Sequence, residues 1–174
     1  SDDFGVVAGQ VTIALDLPKV ERIYGRTMEP EPRDPVVLDL PLPNKGNRSA
    51  FTETLVDDLS QHPFANLPVT MTFQVSDAAG QTGTAEPIHV TLPGRGFFDP
   101  LAAALIEQRQ SLLWNRANAP TVSQILKAVT WQPEGFIRNE RAYLRLRVVM
   151  RELADTAATL TPEKRDAMAE ELWQ

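Results

Sequence analysis

Few side chains in this sequence of 174 residues could do chemistry, and their spacing limits what that chemistry could be. His62 and His89 are the only imidazoles, and there is no cysteine. A zinc site needs three or four converging ligands, and no His-Glu-x-x-His helix occurs. His62 precedes Pro63 in a turn-rich stretch. His89 stands between Ile88 and Val90 in an extended segment, so its ring points opposite to theirs. Structural roles are expected for both. The lack of cysteine removes disulfides, thiolate nucleophiles and thiolate metal ligands together.

Glu53, Asp57 and Asp58 offer paired carboxylates. Glycoside hydrolysis needs two across a cleft, one of them with a raised pKa. Adjacent aspartates do not provide that geometry unaided, and a solvated turn or helix start is the stronger reading. Ser49, Ser60, Ser76, Ser111 and Ser123 lie in no Gly-x-Ser-x-Gly elbow and no Ser-x-x-Lys arrangement. Gly94-Arg-Gly96 reads as a linker rather than a phosphate-binding loop. Asp2, Asp3 and Asp77 sit in turns that could meet at one end of a sandwich and bind calcium. Aspartate is common in turns because its carboxylate bonds the local backbone, which weighs against calcium. Catalytic, cofactor-binding and metal-ligating residues are therefore expected to be absent, and the chain is expected not to be an enzyme.

A late segment is rich in arginine. On a helix, Arg138, Arg141 and Arg145 fall on one side, and Arg147 and Arg151 on another. Such a face could dock an acidic partner or lipid headgroups. The simpler alternative is a solvated face whose charges meet Glu140, Glu152, Asp155 or the acidic first half of the chain. Trp114, Trp131, Trp173, Phe97 and Phe98 are the large apolar groups of the same half. Interhelical packing is their default role, with a binding face as the alternative.

The elements that must position these groups change character around Leu92–Pro100. Before that point, period-two alternation is clear. Val11, Ile13, Leu15 and Leu17 oppose Thr12, Ala14 and Asp16. Val69, Met71, Phe73 and Val75 oppose Thr70, Thr72 and Gln74. Further strands are expected at 36–42 and 86–92, and another at 49–54 ahead of one helical turn near Val56–Ser60. Val20–Pro35 reads as a long polar loop. No helix of useful length separates the strands, which disfavours a parallel sheet.

After that point the pattern is helical. Asp99 and Pro100 make an N-cap and first position. Pro120 and Thr121, with Gln124 as a capping-box partner, start a second helix. Asn139 caps a third, and Thr161 with Pro162 begins a fourth. The fourth carries no stop signal before Gln174, so the helical domain is expected to be truncated there.

Composition agrees with an ordinary folded chain: 43% apolar and 23% charged residues. Fourteen prolines against nine glycines favour loops and strand edges. The net charge is −6. Residues 1–93 carry 13 acidic and 6 basic side chains, whereas residues 94–174 carry 10 and 11. An acidic first half disfavours nucleic acid and anionic lipid as partners. No run of about 18 apolar residues could span a bilayer, and no signal-peptide pattern opens the chain.

The fold class expected is α+β with two domains. Residues 1–93 are expected to form an immunoglobulin-like antiparallel β-sandwich lacking its first strand. Residues 94–174 are expected to form a helical domain of about four helices.

Five stretches carry a family resemblance: Ser1-Asp-Asp-Phe-Gly-Val6, Leu67-Pro-Val-Thr-Met-Thr72, Asp77-Ala-Ala-Gly-Gln81, Leu92-Pro-Gly-Arg-Gly-Phe-Phe-Asp-Pro-Leu101 and Thr161–Gln174. Together they resemble a family of alphaproteobacterial membrane-anchored proteins of unknown function with a large periplasmic region. The resemblance implies a periplasmic location, with anchoring to the inner membrane through segments absent from this chain. It brings no catalytic residues. The function expected is a non-catalytic spacer and interaction module with a protein partner and no cofactor. The alternative is a periplasmic binding module for a protein or anionic polymer, using Arg138, Arg141 and Arg145 or the sandwich loops.

Overall fold

The computed structural model describes residues 5–44, 50–131 and 140–174. The chain is α+β: an antiparallel five-strand sheet is followed by four helices. Its contacts divide it into two compact units. One comprises Ser1–Val20 with Arg33–Gly94, and the other Glu21–Pro32 with Arg95–Gln174.

In the first unit, β1 (Val6–Leu15) lies between β2 (Val36–Asp39) and β3 (Pro68–Asp77). The far edge of β3 carries β4 (Thr82–Thr84) and then β5 (Ile88–Thr91). Gln74 faces Thr84 but Met71 faces Ile88, so the pairing slips by one residue between these two segments. Pro87 lies in that slip, where a missing N–H disturbs the ladder least.

The register aligns the alternation read from sequence. Val11, Ile13 and Leu15 of β1 oppose Phe73, Met71 and Val69 of β3, while Leu38 and Val36 of β2 flank them. This apolar face is covered in part by Leu59, Phe64 and Leu92. Full burial of each such side chain contributes about 1.5–3 kcal/mol, and Val69 has no exposed surface. The other face is polar, with Gln10 and Gln74 joined across the strands at 3.3 Å.

The expected sandwich is corrected. A sandwich needs a second sheet packed face to face with the first, but the five strands among the described residues all lie in one open sheet. The layer over its apolar face is loop. Residues 51–59, expected to supply a strand and a helical turn, have no regular structure. Local bonds compete with a ladder here: Asp57 Oδ1 accepts from the Asp58 N–H at 2.8 Å, and Asp58 Oδ1 from the Ser60 N–H at 2.9 Å.

The second unit contains α1 (Pro100–Trp114), α2 (Ala119–Val129), α3 (Glu140–Thr156) and α4 (Pro162–Glu171). Asp99 caps α1 by accepting from the Ala102 N–H at 2.9 Å, and Thr161 caps α4 by accepting from the Lys164 N–H at 3.3 Å. Both caps match the sequence pattern. The capping box expected at Pro120 does not form, because α2 begins one residue earlier. Its preceding residue, Asn118, turns its amide to the carbonyls of Gly25 and Ser111 instead, at 2.7 and 2.8 Å. Asn139, the expected cap of α3, lies outside the described residues. The helical core gathers Leu112, Val122, Leu126, Leu146, Leu153 and Met168.

The polar stretch Glu21–Pro32 belongs to this helical unit. It is strapped on through its backbone. Trp114 Nε1 donates to the Met28 carbonyl at 2.7 Å, Asn115 Nδ2 to that of Glu29 at 3.0 Å, and the Glu31 N–H to that of Trp114 at 2.8 Å. Glu31 also accepts from Arg116 Nε at 3.1 Å and pairs with Arg165. Arg165 is buried and reaches Asp166 as well, at 2.9 and 3.1 Å. The strap presses closest at Gly25. A Cβ there would fall 2.6 Å from Ser111 Cβ, so only glycine fits without a shift.

Two substitutions test the strap. Gly25→Ala is expected to cost about 1–3 kcal/mol through overpacking. Glu31→Gln, which leaves buried Arg165 with Asp166 as its remaining carboxylate, is expected to cost about 2–3 kcal/mol. Urea unfolding followed by the helical circular dichroism signal measures both. Wild-type midpoints in both variants would show that the strap contributes nothing.

Candidate functional site

The third helix turns Leu146, Val149 and Leu153 into the core, three and four residues apart. Helical geometry then sends positions 141, 144, 145, 148, 151 and 152 outward. Leu144 and Val148, one turn apart, are 55% and 49% exposed. Arg141 and Arg145 flank them on one side, and Arg147 and Arg151 on the other; all four are exposed. Arg147 stacks over the Tyr143 ring at 5.9 Å. Arg138, the remaining member of the face expected from sequence, lies outside the described residues.

The carboxylates expected to neutralise this face do not reach most of it. Among the described residues, no ion pair joins Arg145, Arg147 or Arg151 to a carboxylate. Arg141 with Arg145, and Arg147 with Arg151, are like-charge pairs at i, i+4. Each such pair destabilises a helix by about 0.2–0.5 kcal/mol.

Two grooves border this face. The one between α3 and α4, about 530 Å³, balances Arg145 and Lys164 against Glu152 and Glu171. The one between α2 and α3, about 490 Å³, takes its apolar lining from Leu144, Val148, Met150 and Ala154 and its charged lining from Lys127, Arg147 and Arg151. Among the described residues, no carboxylate lines it.

The profile of one protein family, a domain of unknown function (DUF4175), matches residues 1–174. The chain belongs to this family. No curated protein and no solved structure matches it.

Elsewhere in this DUF4175 chain, the expected site residues have structural partners. His62 Nδ1 accepts from the Phe64 N–H at 3.1 Å, and the two rings pack edge to face at 4.7 Å. Asp77 Oδ1 accepts from the N–H groups of Ala79 and Gln81 at 2.9 and 2.8 Å, closing the turn after β3. Asp2 and Asp3, its expected calcium partners, lie outside the described residues. Among the described residues, no group of three or more His, Asp or Glu is placed to hold a metal ion. No described helix is long and apolar enough to cross a membrane.

Asp57 and Asp58 border a cavity of about 390 Å³ over the apolar face of the sheet, floored by Val11, Ile13, Met71 and Phe73. Both carboxylates accept backbone bonds from their own turn, from the Asp58 and Ser60 N–H groups. Of the tryptophans, Trp114 is buried, Trp173 packs edge to face on Phe97 at 5.7 Å, and Trp131 is 81% exposed.

Sequence reasoning missed one cluster. Asp16 Oδ2 meets His89 Nδ1 at 2.8 Å and Lys19 Nζ at 3.0 Å, while Thr70 Oγ1 lies 3.2 Å from the same imidazole nitrogen. Thr70 and His89 are cross-strand partners, so the hairpin register was the signal that could have found them. Carboxylate, imidazole and hydroxyl are the components of a proton relay. A relay, however, puts the hydroxyl on one ring nitrogen and the carboxylate on the other. Here both meet Nδ1, so the arrangement braces the sheet edge rather than activating Thr70.

The Lys19 ammonium, and after it His89, hold the Asp16 carboxyl below its ordinary value against an opposing effect of burial. A depressed carboxylate pKa stabilises the fold above the unfolded-state value, and that contribution disappears as pH falls through the folded-state value. Asp16→Asn is therefore expected to flatten the fall in melting temperature between about pH 5 and pH 2. Thermal melts across that range test it, and superimposable acid limbs would refute the role of Asp16.

Proposed function

We propose that this DUF4175 chain is a non-catalytic interaction module of a membrane-anchored bacterial envelope protein. It works on the periplasmic side and docks an acidic protein partner on the outer face of α3. In this reading the sheet unit is a spacer. The location rests on the resemblance carried by residues 1–6, 67–72, 77–81, 92–101 and 161–174.

One observation carries the docking role. Arg145, Arg147 and Arg151 stand exposed around Leu144 and Val148 with no carboxylate partner among the described residues. Repulsion at i, i+4 disfavours this arrangement for the helix itself. An external anionic surface turns the repulsion into attraction. The non-catalytic reading is supported by the cluster at Asp16, where hydroxyl and carboxylate share one imidazole nitrogen.

Poly-L-glutamate is a suitable anionic probe. Calorimetric titration at low salt is expected to show binding that weakens at physiological salt. Reversing two charges with Arg145→Glu and Arg151→Glu is expected to weaken it by about tenfold or more, with the melting temperature unchanged. Equal binding by wild type and the double variant, or none by either, would overturn the proposal.

A further inference from the structure

The α2–α3 groove also constrains the partner's shape, granted the docking role proposed for α3. We infer that this groove receives an acidic amphipathic helix: its apolar side lies on Leu144, Val148 and Met150, and its carboxylates meet Lys127, Arg147 and Arg151.

Three features of the groove select this occupant. Among the described residues its charged lining is purely cationic, whereas the neighbouring α3–α4 groove carries two cations and two carboxylates. A ligand chosen by charge is therefore drawn to the first groove and is indifferent to the second. Its floor is apolar, and Leu144 and Val148 repeat at i, i+4, the spacing at which a helix presents its own apolar side chains. A purely ionic polymer would leave that floor in water. Its length also suits a helix: α3 rises about 15 Å between Leu144 and Ala154, close to three turns of a docked helix. Met150 is half-buried against the helical core and its sulfur accepts from the Thr130 hydroxyl at 3.7 Å, so it is the anchored part of the apolar lining.

The test uses the intact chain and a labelled synthetic peptide of about 18 residues, with leucines at i, i+3, i+4 and i+7 flanked by glutamates. A second peptide has the same composition in scrambled order, and vesicles of phosphatidylglycerol form the third probe. Fluorescence anisotropy is expected to show the ordered peptide binding at least about tenfold more tightly than its isomer. Leu144→Ser and Val148→Ser, both at exposed positions, are each expected to weaken the ordered peptide by about tenfold while leaving poly-L-glutamate binding unchanged. Lys127→Glu is expected to weaken the ordered peptide as well. Equal affinity for the two peptides, with poly-L-glutamate still bound, would overturn the helix-in-groove inference and leave the arginine face standing. Binding of the vesicles but neither peptide would replace the helix with a lipid surface. Failure of all the anionic probes would sink both readings together.

Discussion

A guanidinium removed from water must find its counter-charge or hydrogen-bond acceptors where it sits, and the helical unit is organised around that requirement. Arg109 and Arg165 are both buried. Arg109 Nε donates to the Ala169 carbonyl at 2.8 Å, and its guanidinium lies 5.1 Å from the centre of the Trp173 ring. Arg165 is held by Glu31 and Asp166. Through these contacts one buried arginine ties α1 to α4, and the other ties the Glu21–Pro32 strap to α4. Stranding either charge would cost several kcal/mol. Arg145, Arg147 and Arg151 of α3 belong to a different class, because they are exposed and no carboxylate among the described residues pairs with them. The residue type is the same in both sets; only burial separates a structural arginine from one available to a partner.

The sequence disclosed those features in which one local rule decides the outcome. Val11, Ile13, Val69, Met71 and Phe73 alternate with polar residues, and the register lines up their apolar sides as that alternation required. Asp99 and Thr161 cap helices because a short acceptor before a proline has few other uses. Residues 50–59 were not legible in this way. Phe51, Leu55 and Leu59 fit a helical period, Phe51 and Leu55 also fit a strand, and the turn bonds of Asp57 and Asp58 override both. The strap was hidden for another reason. Its carbonyls at Gly25, Met28 and Glu29 do the bonding, and every sequence supplies carbonyls. On α3, spacing alone placed Arg141 and Arg145 together. The lack of carboxylate partners among the described residues at Arg145, Arg147 and Arg151, and the proximity of Lys127, depend on how α2 and α3 pack.

In the sheet unit one face is apolar and its cover is irregular. A sheet with a hydrophobic face must bury it against another layer. Leu59, Phe64 and Leu92 do so in part, leaving a cavity of about 390 Å³, with Ile88 and Val90 48% and 37% exposed on the edge strand β5. Pro35 and Pro41 bracket β2, while Pro87 and Pro93 bracket β5. Prolines beside short edge strands discourage pairing with another chain. The unit therefore limits association through its edges, which fits a spacer better than a strand-pairing adaptor.

Charge and apolar surface would contribute different things at the α2–α3 groove. An exposed ion pair is worth about 0–1 kcal/mol and is weakened by salt. Three arginine or lysine contacts alone would give loose, indiscriminate attachment to any polyanion. Their stronger effect is on approach, because a cationic rim raises the encounter rate with acidic partners and rejects basic ones. Residence depends on the floor. Covering Leu144, Val148 and Met150 adds about 25 cal/mol for each Å² of apolar surface removed from water, and it does so only for a partner whose apolar residues recur at the spacing of the floor. Basic helix faces are common and exposed leucines are common. Here the two lie within one turn of each other on a single groove, and in the proposed docking role that coincidence would restrict the partner to chains that are both acidic and amphipathic.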